Sequence, residues 1–262
     1  MSQTDGQSGR RLVTDAAAPT GRPDAGATPP DHPRPTRQRP PSLAALPATR
    51  WREGDTDGAG FALRDAQTGV RLGEDREGLP VVLPVGGSSG MRIGVLGESL
   101  FGRVLACRMI AVGIQVTAAT RGPVLWRALS EAAGSRLVLG TEEGSWPPHP
   151  PRPPGVGQGP QGLVSDVRRP PPVSAGGGSW CTVVHVRREA PRHGSFWRTL
   201  DALLTLGTDF AETVGPVAGE QAVRVTSSLR PGEIALFRAG GARVLRPDVS
   251  PAEAALLTVP SH

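Results

Sequence analysis

The stretch Met91-Arg-Ile-Gly-Val-Leu-Gly-Glu-Ser-Leu-Phe-Gly-Arg-Val-Leu-Ala-Cys-Arg-Met-Ile-Ala-Val112 decides how this chain is read. Its first residues are apolar and compact, as in a buried strand. A glycine turn follows, and then an apolar run long enough for a helix. Strand, tight turn and helix in that order form the element that binds phosphates in two large protein classes. Gly97 and Gly102 have the Walker A spacing, but Arg103 and Val104 stand where that motif has Lys and Ser or Thr. Glu98 adds negative charge where a phosphate would sit, and Val104 has no oxygen for magnesium. The same residues also read as a dinucleotide turn. Gly97-x-Ser99-x-x-Gly102 departs from G-x-G-x-x-G at one position. At the end of the next strand stands Thr120-Arg121, which suits a 2′-phosphate better than a ribose hydroxyl. The candidate cofactor contacts are therefore Gly97, Glu98, Ser99, Leu100, Phe101, Gly102, Arg103, Thr120 and Arg121. The two readings differ in their cofactor: none for the degenerate phosphate loop, NADP for the dinucleotide turn.

Around this stretch the periodicity predicts an α/β fold. Arg92 to Leu96 is the leading strand and Gly102 to Val112 its helix, ended by Gly113. Ile114 to Thr120 is the next strand. Pro123 opens a helix at its first position, with Leu125, Leu129, Ala132 and Ala133 on its inner face and Gly134 closing it. Arg136 to Leu139 is a third strand. Strand, helix, strand, helix, strand is what a three-layer, mostly parallel sheet requires. Gly162 to Asp166, Ser179 to Val186 and Ala202 to Leu206 are further strands. Phe196 to Asp201 is a helical turn, and Asp209 with Glu212 is a capping pattern. Glu233 to Phe237, Ala239-Gly240-Gly241 and Ala242 to Arg246 form a C-terminal hairpin. Ser250-Pro-Ala-Glu253 is a capping box that opens a last helix.

Composition divides the rest. Residues 1–50 are Pro, Gly, Thr, Ser, Asp and Arg with few large apolar side chains, which cannot offset the entropy of ordering, so a disordered tail is expected. His32 to Pro41 is an extended Pro/Arg tract. Residues 51–90 form a lead-in of short strands at Phe61-Ala-Leu-Arg and Leu79 to Val85, and 91–262 form the α/β domain. Pro/Gly-rich loops are expected at 145–161 and 168–178.

The chain has no Lys, no Asn and no Tyr. That removes a phosphate-gripping lysine, a Schiff-base lysine and a Tyr–Lys hydride-transfer pair. The pI of 10.9 accompanies a formal charge of only +5, because arginine is the sole strong base. The arginines are scattered without interleaved aromatics, so no nucleic-acid partner is expected. No apolar run is long enough for a membrane span and no leader is visible at the N-terminus, so the expected location is cytoplasmic. Cys107 and Cys181 read as free thiols. Cys181, His185 and His193 lack metal-ligand spacing. Asp166 ends an apolar strand, as a Walker B acid does.

Several segments together resemble the FtsK/SpoIIIE type of P-loop ATPase domain, in the form found in type VII secretion ATPases of actinobacteria. They are Asp75-Arg-Glu-Gly78-Leu-Pro-Val-Val-Leu, Gly97-x-x-x-x-Gly102, Leu163-Val-Ser-Asp166, Thr182-Val-Val-His-Val, Asp201-Ala-Leu-Leu-Thr-Leu and Leu229-Arg-Pro-Gly-Glu-Ile-Ala-Leu. The resemblance covers about residues 72–247. It implies a P-loop frame, and that family includes copies that have lost catalytic residues and serve in assembly or substrate binding. With Arg103 and Val104 in place, the implied role is a non-catalytic accessory or scaffold with a protein partner. The alternative is an NADP-binding Rossmann-like oxidoreductase or redox sensor.

Overall fold

The computed structural model describes residues 69–140, 146–189, 191 and 194–257. Every described residue lies in one compact unit. The expected tail, the Phe61 strand and His193 lie outside the described residues.

In chain order the elements are β1 (Val70–Asp75), β2 (Pro80–Leu83), β3 (Met91–Leu96), α1 (Ser99–Ala111), β4 (Gln115–Ala119), α2 (Arg127–Ala133), β5 (Leu137–Gly140), β6 (Gln161–Ser165), β7 (Cys181–Arg187), α3 (Ser195–Arg198), β8 (Ala202–Thr205), α4 (Ala211–Ala218), α5 (Glu220–Ser227), β9 (Ile234–Arg238), β10 (Gly241–Pro247) and α6 (Pro251–Leu257). All ten strands form one sheet in the order β2-β1-β10-β9-β8-β3-β7-β6-β4-β5. The six strands from β8 to β5 are parallel to one another, and the four from β2 to β9 extend the sheet antiparallel. The expected α/β class and the hairpin β9–β10 are thus both present.

The sheet is covered on both faces, which explains why its central strands are buried along nearly their whole length. Ile93, Val95, Val116, Val164, Val184 and Val186 face a core shared with α1, α2 and α6. Leu96, Leu163, Val183 and Leu203 face the other core, which includes Phe196 and Trp197 of α3, Val214 of α4 and Ala222 of α5. Alternation along each strand sends successive side chains to opposite cores. Long irregular segments run from Trp146 to Pro160 and from Asp166 to Trp180.

Three local expectations need correction. The helix after β3 begins at Ser99 rather than Gly102, so Gly102 lies inside it. Pro123–Trp126 forms a 3-10 turn before α2, and Ala132 is exposed while Leu129 and Ala133 are buried. Asp209 lies within a 3-10 turn, and α4 has no side-chain cap at Phe210. The capping box of α6 does form. The Glu253 N–H donates to Ser250 Oγ at 3.2 Å and the Ser250 N–H to Glu253 Oε2 at 2.9 Å. No helix among the described residues is long and apolar enough to cross a membrane.

Candidate functional site

The carboxyl ends of parallel strands are where open α/β sheets place their ligands. Here the ends of β3, β6 and β7 and the start of α1 enclose a cleft of about 340 Å³. Only Gly97 and Glu98 separate β3 from α1. The Gly97 N–H donates to the Arg187 carbonyl at 2.8 Å, which extends the β3–β7 ladder by one bond. A Cβ at Gly97 would lie 2.6 Å from Leu206 Cδ2, so the turn has room only for glycine. Glu98 is the N-cap residue, with extended backbone and no capping bond from its side chain. Its carboxylate lies 4.0 Å from the Arg188 guanidinium, with both side chains largely exposed. Such a pair contributes little.

Ser99 donates its hydroxyl hydrogen to Asp166 Oδ2, which ties the first turn of α1 to the end of β6. The other oxygen, Asp166 Oδ1, is buried without a hydrogen-bond partner. Leu100 points outward at 45% exposure, while Phe101 is buried, its N–H donating to the Glu98 carbonyl at 3.0 Å. Gly102 rests on the sheet. A Cβ there would lie 2.9 Å from Val186 Cγ2 and 3.4 Å from Val164 Cγ1.

Arg103 does not enter the cleft. It is buried, and its Nη1 donates to the Leu125 and Leu257 carbonyls, each at 2.8 Å. Burial lowers its pKa from the ordinary arginine value, and the charge of Asp166 opposes that shift. Its guanidinium therefore binds α1 to the 3-10 turn and to the end of α6. Thr120 is buried and accepts the Gly122 N–H at 3.0 Å, shaping the turn after β4. Arg121 is exposed and does line the cleft.

The cleft also holds residues that sequence reasoning did not single out. Arg168, Arg187, Arg188 and Glu189 line it beside Arg121 and Asp166. Arg187 is anchored, donating to the Arg168 carbonyl at 2.8 Å and to Glu189 Oε2 at 3.3 Å. Arg121 and Arg168 have no side-chain partner among the described residues. The available signal was position: each of these arginines follows the apolar run of a predicted strand.

On the far core face of β7, His185 is fully buried. Its Nδ1 lies 3.3 Å from Ser165 Oγ, and its ring packs edge-on against Phe196 and Trp197. Its Nε2 has no partner. Burial, helped by the charge of Arg187, lowers its pKa from 6.5 to about 4. Cys107 and Cys181 are free thiols, both pushed up by burial. Among the described residues no group of three or more His, Cys, Asp and Glu is placed to hold a metal ion.

Strand order bears on the dinucleotide reading. In that fold the first two strands of the unit are neighbours, which brings the end of the second strand to the ribose. Here β7 and β6 lie between β3 and β4, so the strands are about 14 Å apart at ~4.8 Å per spacing. Arg121 therefore stands on the far side of the cleft from the glycine turn. The arrangement of a Rossmann unit is not the one present.

No family model matches the chain, and no curated protein matches it. Solved structures similar to it include the genome packaging NTPase of Sulfolobus turreted icosahedral virus 2 in complex with AMPPCP. The identity is 10%, over 62% of this chain and 99% of that one, with a TM-score of 0.45. The DNA-packaging ATPase of Sulfolobus Turreted Icosahedral Virus is 8% identical over 63% and 100%, with a TM-score of 0.44. The cytoplasmic domain of the Thermomonospora curvata type VII secretion ATPase is 13% identical over 68% of this chain and 28% of that one, with a TM-score of 0.41.

Proposed function

We propose that this domain is a non-catalytic accessory or scaffold unit of a multiprotein system. The resemblance of its segments points to type VII secretion as that system. The observation that carries the reading is the start of α1 at Ser99, directly after Gly97 and Glu98. A phosphate cradle needs a loop whose N–H groups curl around the anion and a cation to hold its charge. Gly97 gives its N–H to Arg187, Ser99 gives its hydroxyl to Asp166, and Arg103 gives its guanidinium to two carbonyls away from the cleft. The groups that would stabilise a transferring phosphoryl group are thus engaged in holding the fold.

Titration calorimetry and phosphate-release assays with ATP, GTP and NADP in the presence of magnesium test the reading. No binding and no turnover are expected. Magnesium-dependent turnover that is lost in Asp166→Ala would overturn it. For the system, copurification of the tagged protein with a type VII secretion ATPase is expected, and its absence from cells that express both would remove that assignment.

A further inference from the structure

We propose that the cleft at the ends of β4, β6 and β7 docks an acidic peptide segment of a partner protein, with carboxylates held by Arg121 and Arg168 in front of α1. The proposal rests on the scaffold reading above and names the chemistry of the partner. Four arginines line the cleft against two carboxylates, Asp166 and Glu189. Arg187 is anchored to its neighbours, and Arg188 is only loosely paired with Glu98. Arg121 and Arg168 extend from exposed positions without a partner among the described residues.

A second observation comes from α1. This helix of 13 residues has no side-chain cap and no acid in its first turn. Its first N–H groups carry the positive end of the helix dipole toward the same cleft. Guanidinium groups and an uncapped helix N-terminus together favour an anion, offset in part by Asp166, which Ser99 already binds, and by Glu98 at the N-cap.

Geometry favours a row of carboxylates over one phosphate. Arg121 follows β4, Arg168 follows β6 and Arg188 follows β7, which are adjacent strands, so their origins spread over about 10 Å. An extended peptide repeats its side chains on one face every ~7 Å, so two of its carboxylates fall within that spread. A single phosphate spans much less.

The test uses the full chain and a fluorescent peptide with glutamate at every second position, followed by anisotropy. The same peptide with glutamine is the neutral control. Saturable binding of the glutamate peptide alone is expected, weakening with salt. Arg121→Ala and Arg168→Ala should each weaken it about tenfold, the size of one charge-assisted hydrogen bond. Arg246→Ala, an exposed arginine on β10, should leave it unchanged. Unchanged melting temperatures show that the variants fold. No binding by the wild type, equal binding of the glutamine peptide, or full binding by the Arg121→Ala/Arg168→Ala pair overturns the proposal. So does displacement by a DNA duplex at lower concentration than by unlabelled glutamate peptide. ADP is titrated in parallel. Saturable ADP binding defeats the scaffold reading itself, whereas a silent glutamate peptide with silent ADP defeats this proposal alone.

Discussion

Replacing Gly102 by alanine sets two effects of known size against each other. Gly102 lies inside α1, so alanine gains about 0.8–1 kcal/mol of helix propensity. Against this, the new methyl would sit 2.9 Å from Val186 Cγ2 and 3.4 Å from Val164 Cγ1. Carbon atoms rest at about 3.5–4.0 Å, so the helix or Val186 must move by roughly 0.6 Å or more. Neither moves easily, because Val186 and Val164 are 3% and 0% exposed on central strands and β-branched side chains are stiff. Overpacking of this kind costs about 1–3 kcal/mol, so the net expectation is a loss of about 1 kcal/mol. That corresponds to a fall of roughly 2–4 °C in melting temperature for a domain of this size. Urea unfolding of the wild type, Gly102→Ala, Val186→Ala and the double variant isolates the contact. Val186→Ala alone should cost about 2 kcal/mol by opening a cavity. In the pair, the added methyl enters that cavity, and a favourable coupling of about 1 kcal/mol is expected. A Gly102→Ala protein more stable than the wild type, with additive behaviour in the pair, would refute the close-packing argument.

Other outcomes follow from the same geometry. His185 is held neutral in the folded chain with a pKa of about 4 against 6.5 when free. Its contribution is intact above pH 6.5 and is lost as the pH falls toward 4, about 3 kcal/mol in all. His185→Leu should flatten the stability profile across that window, and an unchanged profile counts against the assignment. Glu233 is held at about 2 instead of 4.5, first by the Arg76 hydrogen bonds and then by the Arg230 N–H. Its stabilisation is present above pH 4.5 and disappears as the pH falls toward 2. Arg76→Ala should raise the Glu233 titration midpoint, read by NMR of the side-chain carboxyl. Arg108 grips Glu253 with two bonds, at 2.6 and 3.2 Å, at 12% exposure, and so holds α6 on α1. Arg108→Ala should cost about 1.5–3 kcal/mol and raise hydrogen exchange in α6 before the rest of the fold. An α6 that stays equally protected would contradict this role.

Much of the fold could be read locally. The apolar run before Gly97, the helical run after it and the turn residues at Gly113 and Gly134 define elements through periodicity and φ. At both glycines φ is positive, 89° and 58°, where glycine alone is unstrained. Ser250 and Glu253 form their capping box because all its atoms lie within one helical turn. The α/β class follows from the order of such elements, so it too was open to reading from residues alone. Strand β1 and helix α5 were not foreseen, because β1 pairs with β10, far away in sequence, as well as with β2, and α5 packs on both α4 and β9.

The candidate site depended on what lies far apart in sequence. Nothing local places β7 and β6 between β3 and β4. Sheet order is set by how each helix covers the strands, and it is this order that separates Arg121 from the glycine turn. Whether Arg103 faces the cleft or the core depends on the Leu125 and Leu257 carbonyls, the latter 154 residues away. Its Nη1 takes the two carbonyls within reach, while its Nε stays buried without a partner. The bond from Ser99 to Asp166 and the gathering of Arg168, Arg187 and Arg188 beside Arg121 have the same origin. The chain specifies its elements through neighbours a few residues apart. Its cleft is a product of parallel strands that bring their carboxyl ends together from positions spread across some ninety residues.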